Sequence, residues 1–229
     1  ERAVRAGQTV QVLSRPRTYA FPTYKATRTD EGLRLAATET RRASVEVRIF
    51  DESGKINLNH APAPVLARVL DVDENTAQGI ADARPDAAAD EEGPQRQWLF
   101  ELDDLLARGL LSERQYARMD RSLVTTRTVA EHGRPGRYLN VNAAKPAALA
   151  AVLGVPDDAA KRIAEMGPFD SAAAFRAAVH KAAPEIDLGE GDQLPAPLML
   201  QSYCFRIVSK ATYGSVASTV SEDRLYNKS

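Results

Sequence analysis

Cysteine is almost absent from this sequence. Cys204 is the sole one in 229 residues, which excludes an internal disulfide framework and any cysteine-based zinc cluster. It says little about compartment, because larger secreted domains often do without disulfides. Histidine is scarce too: His60, His132 and His180 are scattered, with no His-x-x-x-His pair to grip a metal, and each is read as a surface or packing residue. There is no Gly-x-Ser-x-Gly elbow, no P-loop and no dinucleotide fingerprint, so the chain is read as a non-enzyme. No apolar run approaches the roughly 18 residues that span a bilayer. Thirty Lys+Arg against 31 Asp+Glu leave a net charge of −1, which argues against a general polyanion binder. What is present, 44% hydrophobic and 27% charged residues, suits a folded protein with ample core. The chain opens on Glu1 rather than Met, which points to a trimmed or cleaved N-terminal anchor or signal.

Charge is unevenly spread. Residues 1–56 carry 11 basic and 7 acidic side chains, residues 57–190 carry 15 and 21, and residues 191–229 carry 4 and 3. The basic ends read as helix plus sheet. Ala3, Ala6, Gly7, Val10 and Leu13 recur at helical spacing. Residues 45–50 alternate apolar and polar as a half-buried strand does, and 199–209 alternate again with Met199, Tyr203, Phe205 and Ile207 on one face. Tyr213-Gly214-Ser215 supplies a turn from which 216–226 returns as a second strand. The acidic middle is alanine-rich and helical, with helix starts at Pro62, Ser112, Pro146 and Asp157. Ser112 and Gln115 have capping-box spacing. Trp98 and Phe100 are read as core, and Cys204 as a small packing residue in mid-strand. Residues 16–44 match no pattern.

An internal repeat carries the most information. Residues 56–81 align without gaps on 139–164, at a constant offset of 83, with identities that include Asn57/Asn140, Asn59/Asn142, Leu66/Leu149, Ala77/Ala160 and Ile80/Ile163. Each copy predicts an extended Asn-x-Asn, a helix of two to three turns, a tight turn and a second helix. Alternation puts both Asn side chains on one side, where they suit the free N–H groups of the following helix start. The second copy continues through Pro168-Phe169-Asp170-Ser171 into a helix with Phe175. The first has an insertion, Arg84 to Gln97, before Trp98-Leu99-Phe100.

Helix, hairpin of the type Leu-Gly-Val-Pro, and second helix make a helix-hairpin-helix pattern. Such hairpins bind DNA when glycine lets backbone N–H groups approach phosphates. Gly154 fits, with Lys161 and Arg162 nearby, whereas the first hairpin, Asp71-Val72-Asp73-Glu74, would repel a phosphate. Packing of helix pairs is the favoured role, and no nucleic-acid partner is expected. A helix-hairpin-helix DNA-binding protein of a competence or pilus system stays open as the alternative, as does an enzyme whose site is assembled from scattered residues.

DESGKINLNHA at 51–61, LNVNAA at 139–144 and QSYCFRIVSKATYGSVASTVSEDRLY at 201–226, with the opening ERAVRAGQ, resemble the minor pseudopilin K family of type II secretion systems (general secretion pathway protein K) over nearly the whole chain. The resemblance implies an α+β fold: a pilin-like scaffold of helix plus antiparallel sheet with a large inserted α-helical domain holding the two repeats. It divides the chain into 1–56, 57–190 and 191–229. It further implies an inner-membrane anchor formed by a helix missing from this sequence, a periplasmic soluble domain, and partnership with other minor pseudopilins at the pseudopilus tip. Ala3, Ala6, Gly7 and Val10, small or apolar on one helix face, are the candidate partner contacts.

Eight acids against one base, Arg84, lie between residues 71 and 92. Hard cations take six to eight oxygens, often from an irregular loop, and some members of the family bind Ca²⁺ in the helical domain. The candidate ligands are Asp82, Asp86, Asp90 and Glu91, set against the simpler reading of a solvated acidic loop. Neither an EF-hand spacing nor the Asp-Trp-x-Asp-x-Asp run associated with calcium-binding members is present.

Overall fold

The computed structural model describes residues 17–29, 32–84, 98–127, 138–213 and 216–225. In chain order these form β1 (Arg17–Thr29), β2 (Gly32–Asp51), a 3-10 turn at Glu52–Gly54, β3 (Ile56–Asn57), α1 (Ala63–Leu70) and α2 (Glu74–Asp82). Next come α3 (Asp104–Ala107), α4 (Glu113–Arg118), β4 (Val124–Thr125), β5 (Leu139–Asn140), α5 (Pro146–Leu153) and α6 (Asp157–Glu165). The described part ends with α7 (Ala172–Ala182), β6 (Leu198–Met199), β7 (Cys204–Tyr213) and β8 (Val216–Leu225). The fold is α+β. It comprises a helical unit, Asp51–Cys204, and a sheet unit that takes in the strand residues up to Phe50 and Phe205–Arg224. The expected helix of residues 1–15, with Ala3, Ala6, Gly7 and Val10, lies outside the described residues.

The sheet has the order β1-β2-β7-β8. β1 and β2 pair antiparallel from Arg17↔Val45 to Thr29↔Gly32, with a bulge between Thr23 and Tyr24. Only two residues join β7 to β8, which makes that pair a hairpin, as the turn at 213–215 predicts. The strand expected at 45–50 is the last stretch of a far longer β2. The unassigned segment 16–44 is mostly the β1–β2 hairpin. Pro22 disguises it, because proline lacks the N–H a central strand must donate. β1 lies at the sheet edge, where that loss is tolerated.

The single strand expected over 199–209 is broken in two. Leu198–Met199 forms β6, which pairs in parallel with Leu139–Asn140, and β7 starts only at Cys204. Between them, backbone groups are spent on side chains rather than a ladder. Leu200 O accepts from Asn142 Nδ2 at 3.2 Å, and the N–H groups of Tyr203 and Cys204 donate to Ser53 Oγ at 3.0 and 3.1 Å. Cys204 is therefore buried at the start of a strand rather than in its middle.

The helical unit is built twice. Adding 83 to the bounds of β3, α1 and α2 gives the bounds of β5, α5 and α6 without a residue of error. The shared positions are the core: Leu66, Ala77 and Ile80, and their partners Leu149, Ala160 and Ile163, are fully buried. Each such leucine or isoleucine contributes about 1.5–3 kcal/mol on burial, so the repeated letters are the ones that hold the helix pairs shut. A parallel two-residue bridge closes each module, β3 with β4 and β5 with β6. The helix starts fall where proline and the caps place them, and Ser112 and Gln115 form the capping box. Phe100, expected in the core, is 70% exposed. Its neighbour Leu99 takes the inward position, and successive residues of an extended segment point opposite ways.

Candidate functional site

The two helix-hairpin-helix turns are the first candidate. Gly154 ends α5 in the left-handed region at φ 70°, its N–H bonded to Ala150 O, and Val155 N–H reaches the same carbonyl. Asp71 occupies the equivalent position at φ 52° and spends its N–H on Ala67 O in the same way. Gly154 is thus a helix-ending residue whose donor is already used, not a free N–H for phosphate. The first hairpin is also acidic and exposed: Asp71 pairs with Arg118, and Asp73 accepts the Thr76 N–H at 2.9 Å, a bond that holds its carboxyl below the usual carboxylate range. In the second copy Arg162 is committed to Asp158 at 2.6 Å and to Ala182 O at 3.1 Å.

The helix pairs instead face each other. α1 packs on α5, and Arg68 Nε donates to Ala151 O at 2.7 Å. Position 151 is the repeat equivalent of 68. A contact between equivalent positions is what an approximate two-fold relation between the copies produces.

The paired asparagines do a different job from the one expected. Neither α1 nor α5 has a side-chain cap at its start. Asn57 Oδ1 accepts the Asn59 N–H at 2.9 Å, and Asn140 Oδ1 accepts that of Asn142 at 3.0 Å. The second amide of each pair then reaches far along the chain. Asn59 exchanges two bonds with the Leu99 backbone, both 2.8 Å, and donates to Thr126 O at 2.8 Å. Asn142 does the same with Phe169, at 2.9 and 2.6 Å, and with Leu200 O. Each asparagine thus ties the start of its module to its later turn and to the segment following its closing strand. The role is structural, as expected, but the partners lie 27 to 67 residues away.

A third cluster joins the motifs at 51–55, 140–142 and 201–204. Asp51 accepts the Ser53 N–H at 2.9 Å and the Ser202 hydroxyl, and Ser202 in turn accepts from Asn140 Nδ2 at 2.6 Å. Burial, ahead of the opposing hydrogen bonds, raises the Asp51 carboxyl above its usual range. Gly54 passes so close to Ala143 that a Cβ would lie 2.4 Å from its carbonyl oxygen.

Of the candidate metal ligands, Asp82 sits exposed at the end of α2 and accepts from Gln78 Nε2 at 2.7 Å. Asp86, Asp90 and Glu91 lie outside the described residues. Among the described residues no three His, Cys, Asp or Glu side chains are grouped to hold an ion, and no helix is long and apolar enough to cross a membrane. His60 packs its ring against Trp98 at 5.6 Å, and burial, then the Arg84 charge, lower its pKa. His180 is exposed on α7. The residue that sequence reasoning missed is Arg84. Half-buried, it donates through Nη1 to Leu58 O at 2.6 Å and Ala61 O at 2.9 Å, and through Nε to Ala81 O at 3.1 Å. Its being the one base in a run of acids was the available signal.

No protein-family model matches the chain, and no curated protein matches it. Among solved structures it is similar to a chain in the crystal structure of the GspK-GspI-GspJ complex from the enterotoxigenic Escherichia coli type 2 secretion system. The match has a TM-score of 0.51 at 12% identity and covers 91% of this chain and 79% of that one. The protein has the fold of a component of that pseudopilin complex, which is the α+β fold that the resemblance to the minor pseudopilin K family implied.

Proposed function

We propose that this protein is a minor pseudopilin at the tip of a type II secretion pseudopilus, where it starts or caps assembly with other minor pseudopilins and so supports protein secretion. The single observation that carries the reading is the fold match over 91% of the chain to a component of the GspK-GspI-GspJ complex. The helical unit adds a physical argument. Pilin-like subunits stack their globular parts in a repeating head-to-tail interface, and such an interface propagates only if every subunit offers both sides. A helical unit running from Asp51 to Cys204 is a bulky addition to one such subunit. An addition that covers the upper docking surface and leaves the lower one usable makes a cap rather than a fibre. The role is one of assembly, without catalysis. The soluble domain would lie in the periplasm, tethered to the inner membrane by a preceding helix. Partner contact would run through the face of Ala3, Ala6, Gly7 and Val10, where small residues permit close helix approach. Ca²⁺ bound by Asp82, Asp86, Asp90 and Glu91 would stiffen the acidic segment.

The test is light scattering on the protein alone and mixed with its own organism's counterparts of GspI and GspJ. The expected result is a monodisperse single protein and a defined complex in the mixture. Filaments from the single protein, or no complex with either counterpart, would overturn the assignment.

A further inference from the structure

The two repeats differ at one built position, and the difference leaves a socket. In the first module the Arg84 guanidinium sits in a fan of three carbonyls, those of Leu58, Ala61 and Ala81. Their repeat equivalents are Val141, Ala144 and Ala164, and the equivalent of Arg84 is Gly167. Two backbone hydrogen bonds recur around both sets. Ala61 and Ala144 each donate N–H to the O of the leading asparagine at 2.9 Å, and Arg84 and Gly167 each donate to the residue three before, at 3.4 and 3.2 Å. Beside Gly167, which has no side chain, the second module holds a cavity of about 160 Å³. It is lined by Val141, Ala144, Ala164 and Gly167, with Asn142, Pro168 and Phe169 at its edge. All three repeat-equivalent residues, Val141, Ala144 and Ala164, are among those that line it.

We propose that this cavity is a guanidinium-binding socket that receives an arginine side chain from a partner protein, an inference that goes beyond the secretion reading and does not depend on it. The argument is chemical. Three carbonyls at the spacing that satisfies Nη1 and Nε of one guanidinium match a planar, multiply donating fork, whereas an ammonium offers three donors at a single point. The local charge has the right sign. Arg84 feels the negative charge of Asp82, whose repeat equivalent is Glu165, and Asp170 follows Phe169 in the chain. Exposed Pro168 at the edge leaves the socket accessible from solvent. The first module therefore shows, within the same molecule, what the second lacks and is shaped to accept.

The probe is N-acetyl-arginine methylamide, titrated into the full ¹⁵N-labelled chain. Saturable shifts are expected at Asn142, Gly167 and Phe169, with a dissociation constant on the order of 1–10 mM, and the lysine analogue should bind at least about fivefold more weakly. Gly167→Arg should abolish the shifts by filling the socket from within. A Cβ there meets Ala164 O and a Phe169 ring carbon at 3.3 Å, so these neighbours must give by a few tenths of an ångström. Arg84→Gly should open the matching socket in the first module and add a second set of shifts at Asn59 and Ala61. No saturation, equal lysine binding, or shifts that survive Gly167→Arg would each refute the proposal. So would a failure of Arg84→Gly to create the second site.

Discussion

Removing the Asn59 side chain should cost far more than removing its repeat equivalent, although the two stand at the same place in the same motif. Asn59 is buried, and Asn59→Ala strands the Leu99 N–H, the Leu99 carbonyl and the Thr126 carbonyl. Leu99 is 1% exposed and Thr126 6%, so water cannot replace the lost amide. Each buried group left without a partner costs about 1–3 kcal/mol, and sharing among neighbours brings the expected total to about 3–5 kcal/mol. Asn142→Ala breaks the same three kinds of bond, but Asn142 is only half-buried and the Leu200 carbonyl is partly accessible. Water can take over part of the task, which lowers the expected loss to about 1–2 kcal/mol. The assay is urea unfolding followed by the fluorescence of Trp98, the sole tryptophan and the neighbour of Leu99. The transition midpoint should fall with little change in slope, since neither substitution alters the surface exposed on unfolding by much. Equal losses at the two sites, or a loss under about 1 kcal/mol for Asn59→Ala, would refute the reasoning.

Gly54→Ala should destabilise the helical unit by about 2 kcal/mol or more, because its Cβ would fall 2.4 Å from backbone oxygen that no side-chain rotation can move away. Thermal melts read this, and an unchanged midpoint would contradict the close approach. His60 gives a pH dependence of known sign. Its folded-state pKa lies below the usual 6.5, chiefly through burial. The unfolded chain thus binds a proton that the folded chain resists, and stability is lost as pH falls from 6.5 towards the folded value. Melting temperatures between about pH 5 and 7.5 should show a shallower slope for His60→Gln than for the parent; parallel profiles would count against it.

The sequence alone determined whatever is encoded locally. The repeat at offset 83 was legible because its identities are the buried faces of short helices, where only apolar residues of the right size fit. Proline and capping residues marked the helix starts because they act on the backbone within one turn. The β7–β8 hairpin announced itself through its turn. The tertiary structure alone decided everything that depends on distant partners. Asn59 and Asn142 read as helix caps, yet their amides bind carbonyls 40, 67, 27 and 58 residues away. Nothing local distinguishes the two uses, because an amide satisfies any buried backbone group that folding brings within reach. β1 lay hidden behind Pro22, since only the sheet order shows that it is an edge strand. Gly154 fitted a phosphate-approaching hairpin by sequence, although helix packing was the favoured role, and only the fold shows its N–H already bonded. The contrast between Arg84 and Gly167 is meaningful only once both modules are folded, when the residues whose carbonyls hold the Arg84 guanidinium have repeat equivalents that line a cavity.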